Sequence, residues 1–474
     1  MPETSASAVL GRAPLFSPRK MVHISMLAFA FLLPYLTWQE AAGCALLALL
    51  FNVAILPHLG VDLSPRRPAE DVHPSWVRDS ESGIRYPESG GGNIWRGIIL
   101  YPISVLALVL LYRHDLNVVG AAWAILAWGD GMASVVGGAV GGPGLPWNRA
   151  KTWSGFGGFM VAGAAGAYIL LRWVSPGIAP AVALKIAVAA ALAGAIVESL
   201  PIRLDDNATV PLAAGAVVFC LCLVERSALA SNLPYLGRRA ALAAAVCLLF
   251  AFLALRLHTV TRSGAAAGFF LGVAVYMAWG WKSFLVMFAF FVLGSAATRL
   301  GYARKAARGV AEARKGARNW RQALANSLPG ACFALLVITT HHQGAFLMAL
   351  IASFAEAAGD TVSSEIGQWL SPQAYLMTTF KPVAVGENGG VSLAGSLAGF
   401  AAAVLVVVLG FGLRLCGVAG AVIALAAAVA GNLLDSLLGA TIERRGMVGN
   451  GIVNFSSSAF AGALALAAAL HLRF

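Results

Sequence analysis

The chain has 474 residues, of which 59% are hydrophobic and only 11% are charged, and its mean hydropathy is +0.78. Soluble domains carry about 25% charged residues, so this composition excludes a cytosolic enzyme, a disordered scaffold and a secreted disulfide-rich module. The net charge of +12 could suggest a nucleic-acid partner, but in so apolar a chain an excess of Lys and Arg is more typical of cytoplasmic loops. We therefore predict an all-α, polytopic integral membrane protein that contacts the lipid bilayer and binds no nucleic acid.

Apolar runs follow one another along the whole chain. A bilayer-spanning helix needs about 20 apolar residues, and by this measure we predict about fifteen membrane helices. A first set of seven lies near residues 22–38, 41–58, 95–112, 116–137, 155–174, 179–199 and 208–224. A second set of eight lies near residues 238–256, 264–280, 281–298, 323–340, 344–366, 391–413, 416–439 and 452–472. Alanine and glycine dominate these runs, which favours close helix packing in lipid.

The segment from Arg299 to Gln322 sets the predicted orientation. It contains eight basic residues and one acidic residue, and short loops rich in Lys and Arg stay on the cytoplasmic side. Counting helices from this segment places the N-terminus, the basic loop 59–93 and the loops around Lys151 and Lys381 on the same side. In a bacterium the membrane would be the inner, or plasma, membrane.

Three short motifs occur twice in the same order. Gly-Asp at residues 129–130 begins a pattern of small residues that returns at 359–360, and a lysine follows each aspartate by 21 residues. Further along, Glu198-Ser199 and Asp435-Ser436 end similar Ala-rich and Gly-rich runs. This order indicates a duplication. Because both aspartates lie on helices predicted to run toward the cytoplasm, we expect two parallel repeats: domains 1–235 and 260–474, joined by a linking helix in 236–259.

Carboxylates within apolar runs are the main candidates for function, because charges inside a membrane are costly. Those embedded in apolar runs or at their ends are Asp130, Glu198, Glu356, Asp360, Glu365, Asp435 and Glu443. Carboxylates bind Mg²⁺ together with substrate phosphates, lysine neutralises phosphoryl oxygens, and glycine-rich turns expose backbone N–H groups to anions. Glycine-rich turns at 137–144 and 386–390 accompany the two lysines. These residue types indicate phosphate chemistry, although closely spaced glycines also mark helix packing.

Residues 18–226 resemble the CTP-dependent isoprenoid-alcohol kinases, the group of dolichol kinase and phytol kinase. The motifs that carry this resemblance are Pro18-Arg19-Lys20-x-x-His23, Gly129-Asp130-x-x-Ala133-Ser134-x-x-Gly137, Lys151-Thr152-x-x-Gly155, Glu198-Ser199-x-Pro201 and Asp206-Asn207-x-x-Val210-Pro211.

Residues 260–474 are similar to the membrane family that contains plant phytyl-phosphate kinase. The motifs here are Arg318-Asn319-x-x-Gln322-x-x-x-Asn326, Gly359-Asp360-Thr361-x-x-Ser364-Glu365-x-Gly367, Lys381-Pro382-Val383, Gly386-x-x-Gly389-Gly390-Val391-Ser392 and Asp435-Ser436-x-x-Gly439-Ala440.

The two resemblances together imply a bifunctional enzyme. The first half would convert an isoprenoid alcohol such as phytol or geranylgeraniol to its monophosphate, and the second half would convert the monophosphate to the diphosphate. CTP would be the phosphate donor in both steps and Mg²⁺ the metal cofactor.

In the first half we expect Asp130 and Glu198 to bind Mg²⁺, Lys151 to contact the donor phosphates, Asp206 to act as the base and Asn207 to position the alcohol. The glycines expected to contact phosphate there are Gly137, Gly141 and Gly155.

In the second half we expect Asp360, Glu365 and Asp435 to bind Mg²⁺ and Lys381 to neutralise phosphate. The residues expected to contact the nucleotide or the lipid phosphate are Arg318, Asn326, Gly386, Gly389, Gly390, Asn450 and Asn454.

Other interpretations remain open at this stage. A cytidylyltransferase that makes a CDP-lipid would use the same CTP and Mg²⁺ but would release pyrophosphate. A membrane transporter could also use buried carboxylates in repeated helices, although many such carriers have inverted repeats and midplane sites. One of the two halves could also be an inactive scaffold.

Overall fold

The computed structural model describes residues 24–59, 77–78, 85–86 and 92–473. The motif at 18–23 and most of the basic loop 59–93 lie outside the described residues. The chain forms two compact units, Met1–Cys222 (unit 1) and Leu223–Phe474 (unit 2). The segment expected to link the repeats is therefore grouped with unit 2.

Unit 1 consists of helices and two short antiparallel β-ribbons. Its α-helices are α1 Leu27–Ala30, α2 Trp38–Leu50, α3 Gly92–Leu111, α4 Leu116–Ala124, α5 Gly131–Val140, α6 Trp153–Val174, α7 Pro180–Ser199 and α8 Asp206–Cys222. π-Helical segments Phe51–Ile55 and Ile125–Asp130 extend α2 and join α4 to α5, and 3-10 turns occupy Leu33–Tyr35 and Leu56–Leu59. The ribbons pair β1 Val77–Arg78 with β2 Arg85–Tyr86, and β3 Gly144–Leu145 with β4 Asn148–Thr152.

Unit 2 also consists mainly of helices, and its described strands form a single small sheet. Its α-helices are α9 Arg226–Arg256, α10 Arg262–Trp279, α11 Trp281–Arg299, α12 Tyr302–Ala307, α13 Trp320–Thr339, α14 Gln343–Leu370, α15 Leu393–Gly412, α16 Val418–Leu438 and α17 Asn450–His471. A 3-10 turn occupies Ala313–Gly316 and a π-helical segment, Gly439–Glu443, extends α16. In the sheet, β5 Ala374–Leu376 lies between β6 Pro382–Val383 and β7 Gly390–Val391 and is antiparallel to both.

The predicted all-α, polytopic membrane class is confirmed. Eleven of the described helices are long and apolar enough to cross a membrane, and two shorter apolar helices are Gly97–Leu111 and Asp206–Cys222. The count of fifteen is not confirmed. The first predicted run is broken into a four-residue helix and a 3-10 turn that contains Pro34, because proline cannot continue the hydrogen-bonding ladder of a helix. The run forming α10 is helical but is not among the eleven.

The element order around the repeated motifs is the same in both units. A helix that carries the Gly-Asp motif is followed by short antiparallel strands, two in unit 1 and three in unit 2, and then by three helices: α4 to α8 in unit 1 and α14 to α17 in unit 2. In each unit the helix after the ribbon has a hydroxyl N-cap, since Thr152 Oγ1 accepts a hydrogen bond from Gly155 N and Ser392 Oγ accepts one from Gly395 N. Such caps satisfy backbone donors that a helix start leaves unpaired.

The two Gly-Asp helices are the most buried membrane spans of their units. Within an 18-residue window, 72% of the Leu116–Val140 segment and 89% of α14 are buried, against at most 56% in any other candidate span. In unit 1 the core includes the fully buried Ile125, Phe159 and Leu170. The packing therefore brings the acidic residues of these helices into the interior of each unit, where other helices surround them.

Candidate active sites

Three carboxylates of unit 1 converge at one point. Asp130 ends the π-helical segment, Glu198 lies in the last turn of α7, and Asp206 begins α8. One carboxylate oxygen from each residue lies within 4.8 Å of one oxygen from each of the other two. Three negative charges at this separation repel one another strongly, so the cluster requires cations or protons to be stable.

Lys151 of β4 supplies one of these cations. Its ammonium group forms an ion pair with Glu198, and its Nζ lies 3.7 Å from Asp206 Oδ2. Burial of the ammonium group works against its charged form, but the hydrogen bond to Glu198 and the charges of Glu198, Asp206 and Asp130 outweigh burial and raise the pKa of Lys151. Lys151 is thus the cation that the described residues are seen to bring to Glu198 and Asp206.

The β3–β4 ribbon is anchored at the end of α7. The indole Nε1 of Trp147 donates a hydrogen bond to Ser199 Oγ at 3.1 Å, and Asn148 Nδ2 donates to the carbonyl oxygen of Ser199 at 3.1 Å. Because Glu198 precedes the anchoring residue directly, these bonds hold Lys151 beside its carboxylate. The sequence analysis did not select Trp147 or Asn148, and no repeated motif includes them.

Asn207 directly follows Asp206 in the first turn of α8. Its Nδ2 donates a hydrogen bond to Asp205 Oδ1 at 2.8 Å, while its buried Oδ1 has no hydrogen-bond partner among the described residues. A buried polar atom without a partner is destabilising unless a ligand satisfies it. Carboxylate and amide oxygens are the ligands that Mg²⁺ takes, so Asp130, Glu198 and the Asn207 oxygen are donors of the kind that suits this ion.

Gly137 and Gly155 have a packing role that the sequence analysis did not assign to them. A Cβ atom on Gly137 would lie 3.2 Å from Thr152 Oγ1 and 3.4 Å from Gly155 Cα, and one on Gly155 would lie 3.0 Å from the carbonyl oxygen of Ala133. The two glycines thus let α5 and α6 approach closely, and their contact with phosphate stays a prediction. Gly141 ends α5 with φ +63°, a conformation that favours glycine.

Unit 2 contains a cavity of about 740 Å³ with many polar groups in its wall. Its wall is formed by α13 to α17, the end of α11, the segment 310–319, the β5–β7 sheet with its loops and the π-helical segment after α16. The predicted residues that line it are Arg318, Asn326, Asp360, Glu365, Gly386, Gly389, Gly390, Asp435, Asn450 and Asn454. The fold therefore brings together residues from four separate sequence motifs and from α17.

Asp360 and Asp435 lie side by side in this cavity, with their carboxyl groups in direct interaction. Ser457 Oγ donates a hydrogen bond to Asp435 Oδ2 at 3.0 Å. Asn454 Nδ2 donates to Asn326 Oδ1 at 2.9 Å and lies 3.5 Å from Asp360 Oδ2. The buried Oδ1 of Asn454 has no hydrogen-bond partner among the described residues. Two adjacent carboxyls and a free amide oxygen again fit a hard divalent cation.

Glu365 is paired with a lysine that the sequence analysis did not single out. Lys305 is fully buried, and its Nζ lies 2.5 Å from Glu365 Oε2, 2.8 Å from the carbonyl oxygen of Thr298 and 3.1 Å from that of Ala297. The role of Glu365 as a Mg²⁺ ligand stays a prediction; in this structure its carboxylate lines the cavity and is paired with Lys305. Nothing in the sequence distinguishes Lys305 from the seven other basic residues of its segment.

Arg318 is half-buried in the wall of the cavity. Its guanidinium lies over the ring of Phe290, 5.2 Å from the ring centroid. Burial lowers the pKa of Arg318, whereas the charges of Glu312, Glu365 and Asp360 act in the opposite direction. An arginine remains protonated in proteins, so a fixed positive charge faces the cavity.

Lys381 is the predicted site residue that the structure does not bring to the cavity. It is exposed on the turn between β5 and β6 and does not line the cavity. Instead, the following loop enters the site: Gly389 is so close to the π-helical segment that a Cβ atom there would lie 2.2 Å from Ala440 N. Arg444 Nη2 holds the loop through Glu387 Oε1 at 2.6 Å. Lys151 and Lys381 each follow an aspartate by 21 residues, but only Lys151 lies beside the carboxylates of its unit.

The comparisons with known proteins agree with this architecture. Residues 245–462 match the family model described as integral membrane protein DUF92. An uncharacterized membrane protein of Synechocystis sp. is 36% identical over 209 residues, which cover 43% of this chain and 81% of that protein. The chain belongs to the DUF92 integral membrane family.

Two plant proteins are similar over shorter parts of their length. Protein VTE6, chloroplastic, of Arabidopsis thaliana is 38% identical over 188 residues, 39% of this chain and 56% of that protein. A probable phytol kinase 2, chloroplastic, of Glycine max is 31% identical over 151 residues, 31% of this chain and 52% of that protein. The chain thus spans about half the length of each of these two relatives. No solved structure matches the chain.

Proposed function

We propose that this member of the DUF92 family is a membrane phosphotransferase that phosphorylates one isoprenoid lipid twice, with CTP as donor. Unit 1 would convert the alcohol to the monophosphate, and unit 2 would convert the monophosphate to the diphosphate. The observation that carries the proposal is the presence, in each unit, of a group of buried and half-buried carboxylates near a cation, together with a buried amide oxygen that has no hydrogen-bond partner among the described residues. Similarity to probable phytol kinases supports the substrate class.

The residues of unit 1 suit an alcohol as the nucleophile. The hydroxyl oxygen attacks the γ-phosphorus of CTP, the bond from that phosphorus to the bridging oxygen breaks, and CDP leaves. The hydroxyl proton goes to a base, for which Asp206 is suited because it begins α8 at the edge of the cluster and is partly exposed. Lys151 stabilises charge on the transferred phosphoryl group. Asp130, Glu198 and the Asn207 carbonyl oxygen would hold Mg²⁺, which neutralises donor phosphate charge when bound.

The residues of unit 2 suit a phosphate monoester as the nucleophile. Such a group carries a charge of about −1.5 to −2 at neutral pH, so it needs no base but must be held against the negative donor. Arg318 supplies a fixed charge and can bind phosphate oxygens in a bidentate manner. Asp360 and Asp435 would hold Mg²⁺, and Asn326 and Asn454 would orient the acceptor phosphate. The monoester oxygen attacks the γ-phosphorus and CDP leaves.

A product assay on purified protein in detergent tests this proposal. Phytol or geranylgeraniol is incubated with Mg²⁺ and γ-³²P-labelled CTP, and labelled lipids are separated. The wild type is expected to form the diphosphate, Asp360→Asn to stop at the monophosphate, and Asp130→Asn to form no product from alcohol while still using added monophosphate. Glu225→Gln serves as a control because this exposed carboxylate lies outside both sites.

Two outcomes would overturn the proposal. If no isoprenoid alcohol or monophosphate becomes labelled, the chain is not a lipid kinase. If α-³²P-labelled CTP labels the lipid and pyrophosphate is released, the chain is a cytidylyltransferase.

A further inference from the structure

Unit 2 contains a second cavity that differs in character from the first. It has a volume of about 110 Å³ and is formed by α9, α10, α11 and α13. Aromatic and aliphatic side chains dominate its wall, among them Phe250, Leu271, Phe284, Met287, Phe288 and Phe291. Pockets with such walls bind apolar groups.

Two residues belong to the walls of both cavities. Arg318 and Gln322 line the polar cavity and also line the apolar one. The Arg318 guanidinium lies 5.2 Å from the ring centroid of Phe290, which itself lines the apolar cavity. One side chain therefore marks the boundary between a polar, phosphate-compatible space and an apolar space. A ligand that occupied both spaces would combine an anionic head group with a hydrocarbon chain.

We propose that the apolar cavity binds the isoprenoid segment next to the phosphate of the lipid monophosphate, with Arg318 holding that phosphate at the boundary. This inference rests on the function proposed for unit 2 and adds the location of the lipid chain. A cavity of 150 Å³ lined by apolar residues binds benzene, so 110 Å³ holds about one five-carbon isoprene unit. The remainder of the chain would extend beyond the cavity.

Two glycines, Gly264 and Gly268, lie where α10 lines the apolar cavity. A Cβ atom on Gly264 would lie 2.2 Å from the carbonyl oxygen of Arg318, so this position must be glycine for the chain near Arg318 to approach. Gly268, one turn further, also lines the cavity, but a Cβ atom there meets nothing within 4 Å. A larger side chain at position 268 can therefore fill the cavity without disturbing the packing of the helix.

Photo-crosslinking tests the proposal without requiring turnover. The probe is geranylgeranyl monophosphate with a diazirine in its first isoprene unit, and the labelled peptides of the full chain in detergent are identified by mass spectrometry. Gly268→Leu fills the cavity, while Gly237→Leu is the matched control, because Gly237 is also an open mid-helix glycine of unit 2 but lines neither cavity.

We expect label in α10 and α11 for the wild type and Gly237→Leu, and about tenfold less label in Gly268→Leu, since hydrophobic pockets discriminate by about 10–200-fold when their size changes by a methylene.

Label confined to α15–α17, or equal labelling of Gly268→Leu, would overturn the proposal. Equal labelling of the same peptides by a diazirine-bearing phosphatidic acid would also overturn it, because the cavity would then be a phospholipid site. Labelling of the cavity without diphosphate formation would refute the kinase function and leave the cavity assignment in place. Diphosphate formation without labelling of the cavity would refute the cavity assignment and leave the kinase function in place.

Discussion

Lys151 and Glu198 form an ion pair between β4 and the last turn of α7, although 47 residues separate them in the sequence. The residue at the corresponding sequence position of unit 2, Lys381, is exposed and makes no ion pair with a described carboxylate. The two units thus share motifs but place their cations differently. Unit 2 uses Arg318 and the buried Lys305 near its carboxylates instead.

The first prediction compares the two lysines. Lys151→Met should reduce phosphorylation of the alcohol by about 10²-fold or more, the size of effect seen when one transition-state donor is removed. Lys381→Met should change phosphorylation of the monophosphate by less than about threefold, because its side chain does not line the cavity. Initial rates with γ-labelled CTP measure both effects. A comparable loss in both variants would show that Lys381 moves into the site during turnover.

The second prediction concerns Asp206 as the base. Asp206→Asn should lower the rate of alcohol phosphorylation by about 10²-fold, within the range of general acid–base catalysis, and leave phosphorylation of added monophosphate unchanged. The Mg²⁺ concentration for half-maximal rate should rise much more in Asp130→Asn than in Asp206→Asn. If Asp206→Asn raises the Mg²⁺ requirement as strongly, Asp206 is a metal ligand rather than the base.

The third prediction concerns Arg318. Arg318→Gln should raise the KM for the lipid monophosphate about tenfold or more, because a hydrogen bond to a charged group contributes about 1.5–3 kcal/mol. Arg318→Lys keeps the charge but lacks the planar fork, so its KM should lie between those of the wild type and Arg318→Gln. Phosphorylation of the alcohol in unit 1 serves as the internal control. An unchanged KM in Arg318→Gln would contradict the assignment.

The fourth prediction concerns the buried pair of Lys305 and Glu365. Lys305→Met leaves a buried carboxylate without its partner, which destabilises a protein by about 3–5 kcal/mol. The double variant Lys305→Met/Glu365→Leu should recover most of this loss, because two apolar side chains replace the ion pair. Thermal unfolding in detergent is the measurement. If Glu365→Gln leaves the Tm unchanged but raises the Mg²⁺ requirement of the second step, Glu365 is a metal ligand after all.

The fifth prediction separates packing from phosphate binding at two neighbouring glycines. Gly137→Val should destabilise unit 1 by about 1–3 kcal/mol, the usual range for overpacking, since its Cβ would lie 3.4 Å from Gly155 Cα. Gly138→Val should have little effect, because a Cβ atom there meets nothing within 4 Å. The Tm and the KM for CTP are compared in both variants. A raised KM in Gly137→Val with an unchanged Tm would indicate phosphate contact.

The membrane class follows from the sequence because hydropathy is a local sum over about 20 consecutive residues. The candidate carboxylates could also be predicted from the sequence, since an acidic residue in an apolar run is conspicuous regardless of how the helices pack. The number of membrane helices was harder to predict, because Pro34 divides a run that composition alone treats as continuous.

The tertiary structure alone decided which charges meet. Lys305 pairs with Glu365 across 60 residues, Lys151 reaches Glu198, and Lys381 lies outside the cavity. Each outcome depends on the packing of helices and on the path of a short β-ribbon or turn, neither of which leaves a local pattern in the sequence. Equal spacing along the chain therefore identified the repeated residues but did not determine their surroundings, because Lys151 lies within strand β4 whereas Lys381 lies on the turn before strand β6.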